Sequence, residues 1–479
     1  MSGRSSVAFG AVTKIPRTAR GVAFHLLLSV ATQDSYANLL LPKMLNEAGL
    51  DSRDSGFATE LSFGTIRNQL LYQAIIEKCA GRDVREIDID VLTLIELGAH
   101  QLLAMRVPGH AALSETVELA KKVLRANLVG FVNGVLRRVS EKSRDEWLEI
   151  LLKNCPNQAA EFSIRYSHPE WMVRALQDSL RVDGREDELE ALLIANNQAP
   201  LVNLVALPGL SDQSTLLDIG AALGGVSPFG GVLPDGDPAN IDEIRRGLVR
   251  VQDQGSQLAA IALLEAPIAS SKGTPEEWLD LCAGPGGKAA FLAAAAKEKG
   301  AELVCNELQP HRAKLVEQAL RPVNPDVYVR IGDGRDLGAD APESFDRILL
   351  DAPCTGLGAL RRRPESRYRK NQGDVAELAK LQRELFSSAW SGLKVGGVLA
   401  YVTCSPHPAE TTAVIDWAQK EYSSHLEILD ATKILQSVNS ELEQNPHLKL
   451  TEGRKTVQLW PQRQETDAMF ISLLRKTGN

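Results

Sequence analysis

The second half of this chain carries five short apolar runs, EEWLDL, AELVCNE, DVYVRIGD, DRILLDAP and GVLAYVTC, beginning at residues 276, 301, 326, 346 and 397. Each is long enough for one buried strand and too short for an ordinary helix. Helical patterns, KAAFLAAAAKE and HRAKLVEQAL, separate the first three. The repeat therefore has the length of one strand–helix unit, which predicts a mainly parallel sheet. In such sheets ligands sit beyond the carboxyl ends of the strands. Asp280, Glu307, Asp333, Asp351 and Cys404 all fall at those ends. Five polar or reactive residues on one rim make a candidate site.

The first part of the chain reads differently. From Arg17 to Glu141, apolar residues recur at three- and four-residue spacing, as in ARGVAFHLLLSV, FATELSFGTIRNQLLYQAII and VLTLIELGAHQLLAM. That spacing predicts an all-α bundle, with breaks at Gly81, at Pro108-Gly109 and near Asn127 to Gly130. A helical stretch from Asp145 to about Asn197 follows. The Gly/Pro-rich region after it, including ALPGL and FGGVLPDGDP, reads as poorly regular up to Leu248. The expected organisation is a flexible tail over 1–16, a helical domain over 17–144, a linker and small substrate-binding subdomain over 145–248, and an α/β domain over 249–477. A chain of 479 residues is in any case too long for one ordinary core.

Charge and cysteines narrow the function classes. The net charge is −8; residues 1–150 hold 18 Lys+Arg against 17 Asp+Glu, or +1, so the rest carries −9. Contact with nucleic acid must then rest on local clusters. The clearest is RRRPESRYRK, with Arg361, Arg362, Arg363, Arg367, Arg369 and Lys370 around Tyr368. It reads either as a solvated face or as a phosphate-binding patch, and its place directly after DAPCTG favours the second. No apolar run reaches the length of a membrane span, and the start has no continuous apolar signal segment. The six cysteines include no C-x-x-C pair. Neither zinc nor a disulfide framework is expected, and a reducing cytoplasm is.

Three segments carry the chemistry. DLCAGPGGK, Asp280 to Lys288, is a glycine-rich turn that opens a helix after a strand, so its backbone amides can face a ligand. It fits a loose G-x-G-x-x-A pattern with acidic Glu307 23 positions after Gly284, so a dinucleotide site stays open on this evidence. A P-loop does not, because Ala289 stands where a magnesium-binding Ser or Thr is needed. Glu307 is placed to accept bonds from ribose hydroxyls and Asp333 to take an adenine amine; the alternative is that both acids cap the following helices. The other two segments are DAPCTG (Asp351 to Gly356) and TCSP (Thr403 to Pro406), which put Cys354 and Cys404 at two strand ends. The bland reading of both thiols is small buried hydrophobes, which suits Cys79, Cys155, Cys282 and Cys305. A nucleoside-cofactor turn followed by two strand-end thiols instead fits methylation at carbon 5 of a pyrimidine. That reaction needs a thiolate to attack carbon 6 and a second group to remove the carbon-5 proton.

The stretch from Val249 to Lys476 resembles the Nop2/Sun family of RNA (cytosine-5) methyltransferases. VQDQGSQLAA, DLCAGPGGK, NELQPHR, GDGRDL, FDRILLDAPCTGLGALRRRPE, LKVGGVLAYVTCS and DAMFISLLRK carry the resemblance. FATELSFGTIR, LIELGAHQLLAMRVPGHAALSETVELAKK and FVNGVLRRVSE resemble the NusB-type RNA-binding domain. The two together are the arrangement of the bacterial 16S rRNA enzymes of the Sun/Fmu type. The resemblance implies a Rossmann-like methyltransferase domain behind a NusB-like bundle, S-adenosyl-L-methionine as cofactor, ribosomal RNA as partner, and a monomer needing no metal or membrane. It makes Cys404 the nucleophile and Cys354 the release group, with Asp351 and Lys288 beside the reacting base. Cofactor contacts fall on Cys282, Ala283, Gly284, Pro285, Gly286, Gly287 and Lys288, then on Glu307, Arg312, Asp333, Gly334 and Asp351. RNA contacts are expected from Arg17, Arg20, Arg137 and Arg138 and from Arg361, Arg362, Arg363 and Arg367. Three positions depart from the family pattern. Glu410-Thr411-Thr412 replaces Glu-Asn-Glu, Asp467-Ala468-Met469-Phe470 replaces Asp-Gly-Phe-Phe, and APLVNLVALPGL lacks the usual Arg-x-Asn.

Overall fold

The computed structural model describes residues 16–33, 35–269 and 275–478; of the expected N-terminal tail, residues 1–15 lie outside that range. The chain forms two compact units. One holds the chain up to Arg174 together with Arg362–Arg369, and the other holds Ala175–Arg361 and Lys370 onward.

The first unit is all helix, from Ala19–Thr32 through Ala126–Val139 and on to Gln158–Tyr166. Local signals set the ends: the Thr18 side chain accepts from the Gly21 amide, and Gly81 closes its helix at φ 71°, a left-handed conformation open to glycine. The expected break near Asn127 to Gly130 does not occur. The helix Ala126–Val139 runs through it and the interruption lies at Leu124–Arg125. Burial of Val132, Val135, Leu136 and Val139 outweighs the roughly 1 kcal/mol that each mid-helix glycine costs. Helix Ile89–Leu103 is buried continuously from Val91 to Gln101 and carries Glu96 into the core.

Much of the RRRPESRYRK segment packs into this unit, and the phosphate-binding expectation is corrected for Arg361, Arg367 and Arg369. Arg367 is fully buried, and its Nη1 donates to the carbonyls of Arg67 and Ser167 at 3.1 and 3.2 Å. Tyr368 donates its hydroxyl to the Ile66 carbonyl at 2.9 Å, and Arg369 Nη2 donates to the Ser35 carbonyl at 2.6 Å. In the second unit Arg361 is also buried, donating to the Glu465 carbonyl at 2.8 Å. A guanidinium turned inward onto carbonyls cannot meet a phosphate from solvent. Arg362 is half-buried and Arg363 exposed.

The second unit opens with a four-stranded antiparallel sheet, where the sequence reading expected irregular chain. Its strands are β1 (Val202–Ala206), β2 (Ala222–Leu223), β3 (Gly230–Leu233) and β4 (Val249–Val251), in the order β2-β3-β1-β4. Strands of two to five residues between glycine turns are too short to show a periodicity.

The main sheet comprises β5 (Glu277–Asp280), β6 (Glu302–Glu307), β7 (Tyr328–Ile331), β8 (Phe345–Asp351), β9 (Leu393–Thr403), β10 (Leu426–Leu429), β11 (Val457–Gln458) and β12 (Phe470–Lys476). The order is β10-β12-β9-β8-β5-β6-β7, with β11 on β12. Strands β5 to β9 pair in parallel, while β12 runs antiparallel to β9 and β10. The five predicted strands are the five parallel ones. Because β5 lies between β6 and β8, the chain winds outward in both directions from it. That switch point opens a crevice at the carboxyl ends of β5 and β8. The helix after β5, Gly287–Lys299, is buried from Ala289 through Ala296. Its alanines let it lie close against the sheet.

Among the described residues no helix is long and apolar enough to cross a membrane, and no group of three or more His, Cys, Asp or Glu could hold a metal ion.

Candidate active site

The crevice is floored by the turn between β5 and its helix. Gly286, at φ 104°, needs glycine on two counts: its backbone is left-handed, and a Cβ there would stand 2.6 Å from the Cβ of Ala319. At Gly284 a Cβ would lie 2.2 Å from Glu307 Oε2. That space is used by hydrogen bonds. The Gly284 amide donates to Glu307 Oε2 at 3.0 Å, the Gln309 amide donates to Glu307 Oε1 at 3.0 Å, and Arg312 Nη2 donates to the Gly284 carbonyl at 2.6 Å. Glu307 thus sits buried at the end of β6 with its charge held by the turn and by Arg312.

Asp333, just beyond β7, is ion-paired with Arg335 at 2.6 Å; the Arg335 side chain, then its amide, hold the carboxylate below its ordinary range. Gly334 packs where a Cβ would meet Leu385 at 2.9 Å. Cys282 is a poor nucleophile, its thiol pushed well up by burial and then by Asp280.

Asp280 ends β5 and is 1% exposed. Neither of its carboxylate oxygens has a partner in hydrogen-bonding geometry. Burial first, then the neighbouring Asp351, push its pKa to about 8, against the weaker pull of Lys288 and the Cys282 amide. An orphaned carboxyl on the floor of a crevice is an invitation to a cation.

The two chemistry-bearing cysteines meet. Asp351 and Val402 are register partners on β8 and β9, so the segments leaving these strands run side by side. Cys354 Sγ and Cys404 Sγ lie 3.4 Å apart, both partly exposed and both free. Their protons are unequally held. The hydrogen bond to Cys404, with burial behind it, pushes the Cys354 thiol well up. The same bond, helped by Lys288, draws Cys404 down against burial and the Asp351 charge. Of the two, Cys404 is the sulfur whose ionisation the surroundings favour and Cys354 the one whose proton they hold. Beside them Lys288 Nζ donates to Asp351 Oδ2 at 2.8 Å. Burial alone would lower the Lys288 ammonium, but Asp351 and the nearby Cys404 outweigh it and hold it above its ordinary value.

Sequence reasoning missed what joins the two cysteine segments. Glu410, fully buried, takes the Thr355 amide on Oε1 at 2.8 Å and the Thr355 and Ser405 hydroxyls on Oε2 at 2.5 and 2.6 Å. Gln382 Nε2 donates to the Pro353 carbonyl at 2.9 Å and to Glu410 Oε1 at 3.3 Å. The available signal was an acid between prolines and a helix start, five positions beyond Ser405. The departures at Thr411 and Thr412 leave that acid in place. Of the expected RNA-binding residues in the first unit, Arg17, Arg137 and Arg138 are exposed. Arg20 instead bonds Gln101 at 2.7 Å and lies over the Phe57 ring.

A doubly wound sheet whose carboxyl rim carries buried acids beside two thiols in contact is the setting of a cofactor-dependent group-transfer enzyme. Comparison with known proteins gives the family. Residues 270–475 match the model of the 16S rRNA methyltransferases RsmB/F, and residues 17–141 match the NusB family. A Mycobacterium tuberculosis protein named as a methyltransferase is 43% identical over 96% of both chains. Ribosomal RNA small subunit methyltransferase B of Escherichia coli is 34% identical over 84% of this chain and 90% of its own. The crystal structure of PH0851 shares the fold with a TM-score of 0.77, at 19% identity over 96% of this chain and 99% of that one. The chain belongs to the RsmB/F family of S-adenosylmethionine-dependent rRNA methyltransferases.

Proposed function

We propose that the protein methylates carbon 5 of a cytosine in small-subunit ribosomal RNA through a covalent adduct on Cys404. The observation that carries this reading is the asymmetric thiol pair, 3.4 Å apart, at the carboxyl rim beside the cofactor turn. A nicotinamide enzyme has no use for such a pair.

The crevice suits S-adenosylmethionine. Asp280 is a buried acid beside the cofactor turn whose oxygens have no partner in hydrogen-bonding geometry, so a cationic ligand nearby would favour its charge. The turn from Cys282 to Lys288 would hold the cofactor, with Glu307 on the ribose and Asp333 and Gly334 near the adenine. When bound, the cofactor supplies an electrophilic methyl group on a sulfonium. The chain's residues supply the rest. Cys404 thiolate forms a bond to carbon 6, and the electron pair of the 5,6 double bond moves toward ring nitrogen 3, which takes a proton through Asp351. Lys288 holds Asp351 in place. Carbon 5 is then nucleophilic and gains the methyl group. Once Cys404 is bonded to carbon, Cys354 loses the hydrogen-bond partner that kept it protonated, so it can give its proton to solvent and then remove the carbon-5 proton as thiolate. The double bond re-forms, Cys404 leaves as thiolate, and ring nitrogen 3 gives back its proton through Asp351. Arg17, Arg137, Arg362 and Arg363 would bind RNA phosphates, and the target base would be swung out of its stack to reach the thiols.

The test separates the two thiols. Cys404→Ala should give neither methylated RNA nor adduct. Cys354→Ala should accumulate a denaturation-resistant protein–RNA band once cofactor is added. The opposite pattern would reverse the roles and refute the mechanism.

A further inference from the structure

Glu410 is the most heavily engaged buried acid near the cysteines, yet it contacts neither sulfur by hydrogen bond and no part of the proposed reaction uses it. We propose that Glu410 is a positioning residue that sets the division of labour between the two thiols, holding the Cys354 and Cys404 segments together while keeping a negative charge on the Cys354 side.

The geometry is specific. One carboxylate grips the residue directly after each cysteine: Thr355 through its amide and hydroxyl, at 2.8 and 2.5 Å, and Ser405 through its hydroxyl at 2.6 Å. The Thr355 and Ser405 hydroxyl oxygens stand 3.1 Å apart, each turning its proton to Glu410. The Tyr401 hydroxyl donates to the Glu410 carbonyl at 2.8 Å, and the Gly358 amide donates to the Cys404 carbonyl at 2.9 Å. These bonds hold the two cysteine segments together without engaging either sulfur. The charge acts as well as the geometry. Glu410 and Cys404 are the acidic neighbours that disfavour ionisation of Cys354, while the Gly356 amide favours it. Around Cys404 stand Asp351 and Asp467, which oppose its ionisation, and Lys288, which supports it. Tyr401 lies against both Cys354 and Glu410, and burial keeps its phenol protonated. Of the flanking carboxylates, Glu410 is the one that bears on Cys354, so it tips the shared proton toward that sulfur and leaves Cys404 free to attack.

The inference rests on the proposed roles of the two cysteines, but its test needs neither RNA nor cofactor. The full-length protein is pulsed with iodoacetamide across pH 5.5–9.5, and alkylation of the Cys354 and Cys404 peptides is counted separately by mass spectrometry. In the parent, Cys404 reacts first. Glu410→Gln keeps the side-chain shape: its carbonyl can still accept from the Thr355 amide, and both hydroxyls can turn to accept from its NH₂. Only the charge is lost. The Cys404-to-Cys354 rate ratio at pH 7 should fall roughly tenfold, with the Cys354 midpoint moving down by about one pH unit. Ser405→Ala removes one arm of the clamp and should lower the ratio a few-fold. A ratio held at the parent value in both variants overturns the proposal. So does an equal rise in both rates, which would mark Glu410 as a purely structural residue. If the adduct experiment failed while the ratio fell, the functional reading would be lost and the positioning role would stand.

Discussion

Replacing Asp280 by asparagine should stabilise the unliganded protein at alkaline pH while weakening its hold on the cofactor. Asp280 is 1% exposed with no hydrogen-bond partner for either oxygen, and burial raises its pKa from 3.8 to about 8. A group whose folded pKa lies above its unfolded value binds its proton more tightly when folded. Stability is therefore greatest below pH 3.8 and falls as pH rises toward 8, levelling off beyond it. At about 1.36 kcal/mol per unit, the parent loses on the order of 4 kcal/mol between pH 5 and pH 8 through this one carboxyl. The asparagine side chain cannot ionise. Its buried amide, unsatisfied in turn, costs about 1–3 kcal/mol, but at every pH alike. Comparing urea melts of parent and Asp280→Asn at pH 5 and pH 8 cancels that constant. The variant's relative stability should rise by roughly 4 kcal/mol over the interval. Binding gives the second arm. A cation beside Asp280 favours its ionised form, so cofactor binding to the parent at pH 7 should release up to about one proton, detectable by calorimetry in buffers of different ionisation heat. The variant should release less and bind at least roughly tenfold more weakly. A stability difference that does not change with pH, or proton release unaltered in the variant, would refute the reasoning.

Three other outcomes follow from named contacts. Glu307→Ala should weaken cofactor binding by roughly ten- to a hundred-fold in calorimetry, since it removes charge-assisted bonds and frees the Gly284 turn. Glu96, buried with its pKa raised by desolvation from 4.5 to about 7 and held by Gln73 at 2.7 Å, has the same sign as Asp280. Glu96→Gln should gain about 3 kcal/mol over the parent between pH 4.5 and pH 7.5 and nothing further above that, read from the melting of the helical unit. The arginine run should split in two. Arg363→Ala should flatten the salt dependence of RNA binding by a slope of roughly 0.7–0.9, while Arg367→Ala should leave that slope unchanged and lower stability by about 1–3 kcal/mol by stripping the Arg67 and Ser167 carbonyls of their donor. A reduced slope in Arg367→Ala would show that its guanidinium reaches phosphate after all.

What the sequence disclosed and what it concealed divide along a physical line. Parallel strands are buried on both faces, so β5, β6, β8 and β9 appear as apolar runs, and their ends expose Asp280, Glu307, Asp351 and Cys404 as polar interruptions. The sequence could place those residues on one rim because a two-way winding of the sheet leaves its carboxyl edge as the crevice. It could not show which side chains pair across that rim. Asp333 looks identical in sequence whether or not Arg335 is paired with it, as it is here. Arg367 reads as a surface cation until its two carbonyl partners come from positions 300 and 200 residues away. Glu410 is legible as the retained acid of a family motif, but its role is not, because that comes from bridging Thr355 and Ser405, which are 50 residues apart along the chain. A charge is buried when its partners are assembled by the fold. The most informative residues of this site are therefore the buried ions, whose partners in sequence lie farthest off. Asp280 is the exception: it is buried at a strand end where Lys288 and the Cys282 amide only partly offset burial, so its charge is the one a cationic ligand would complete.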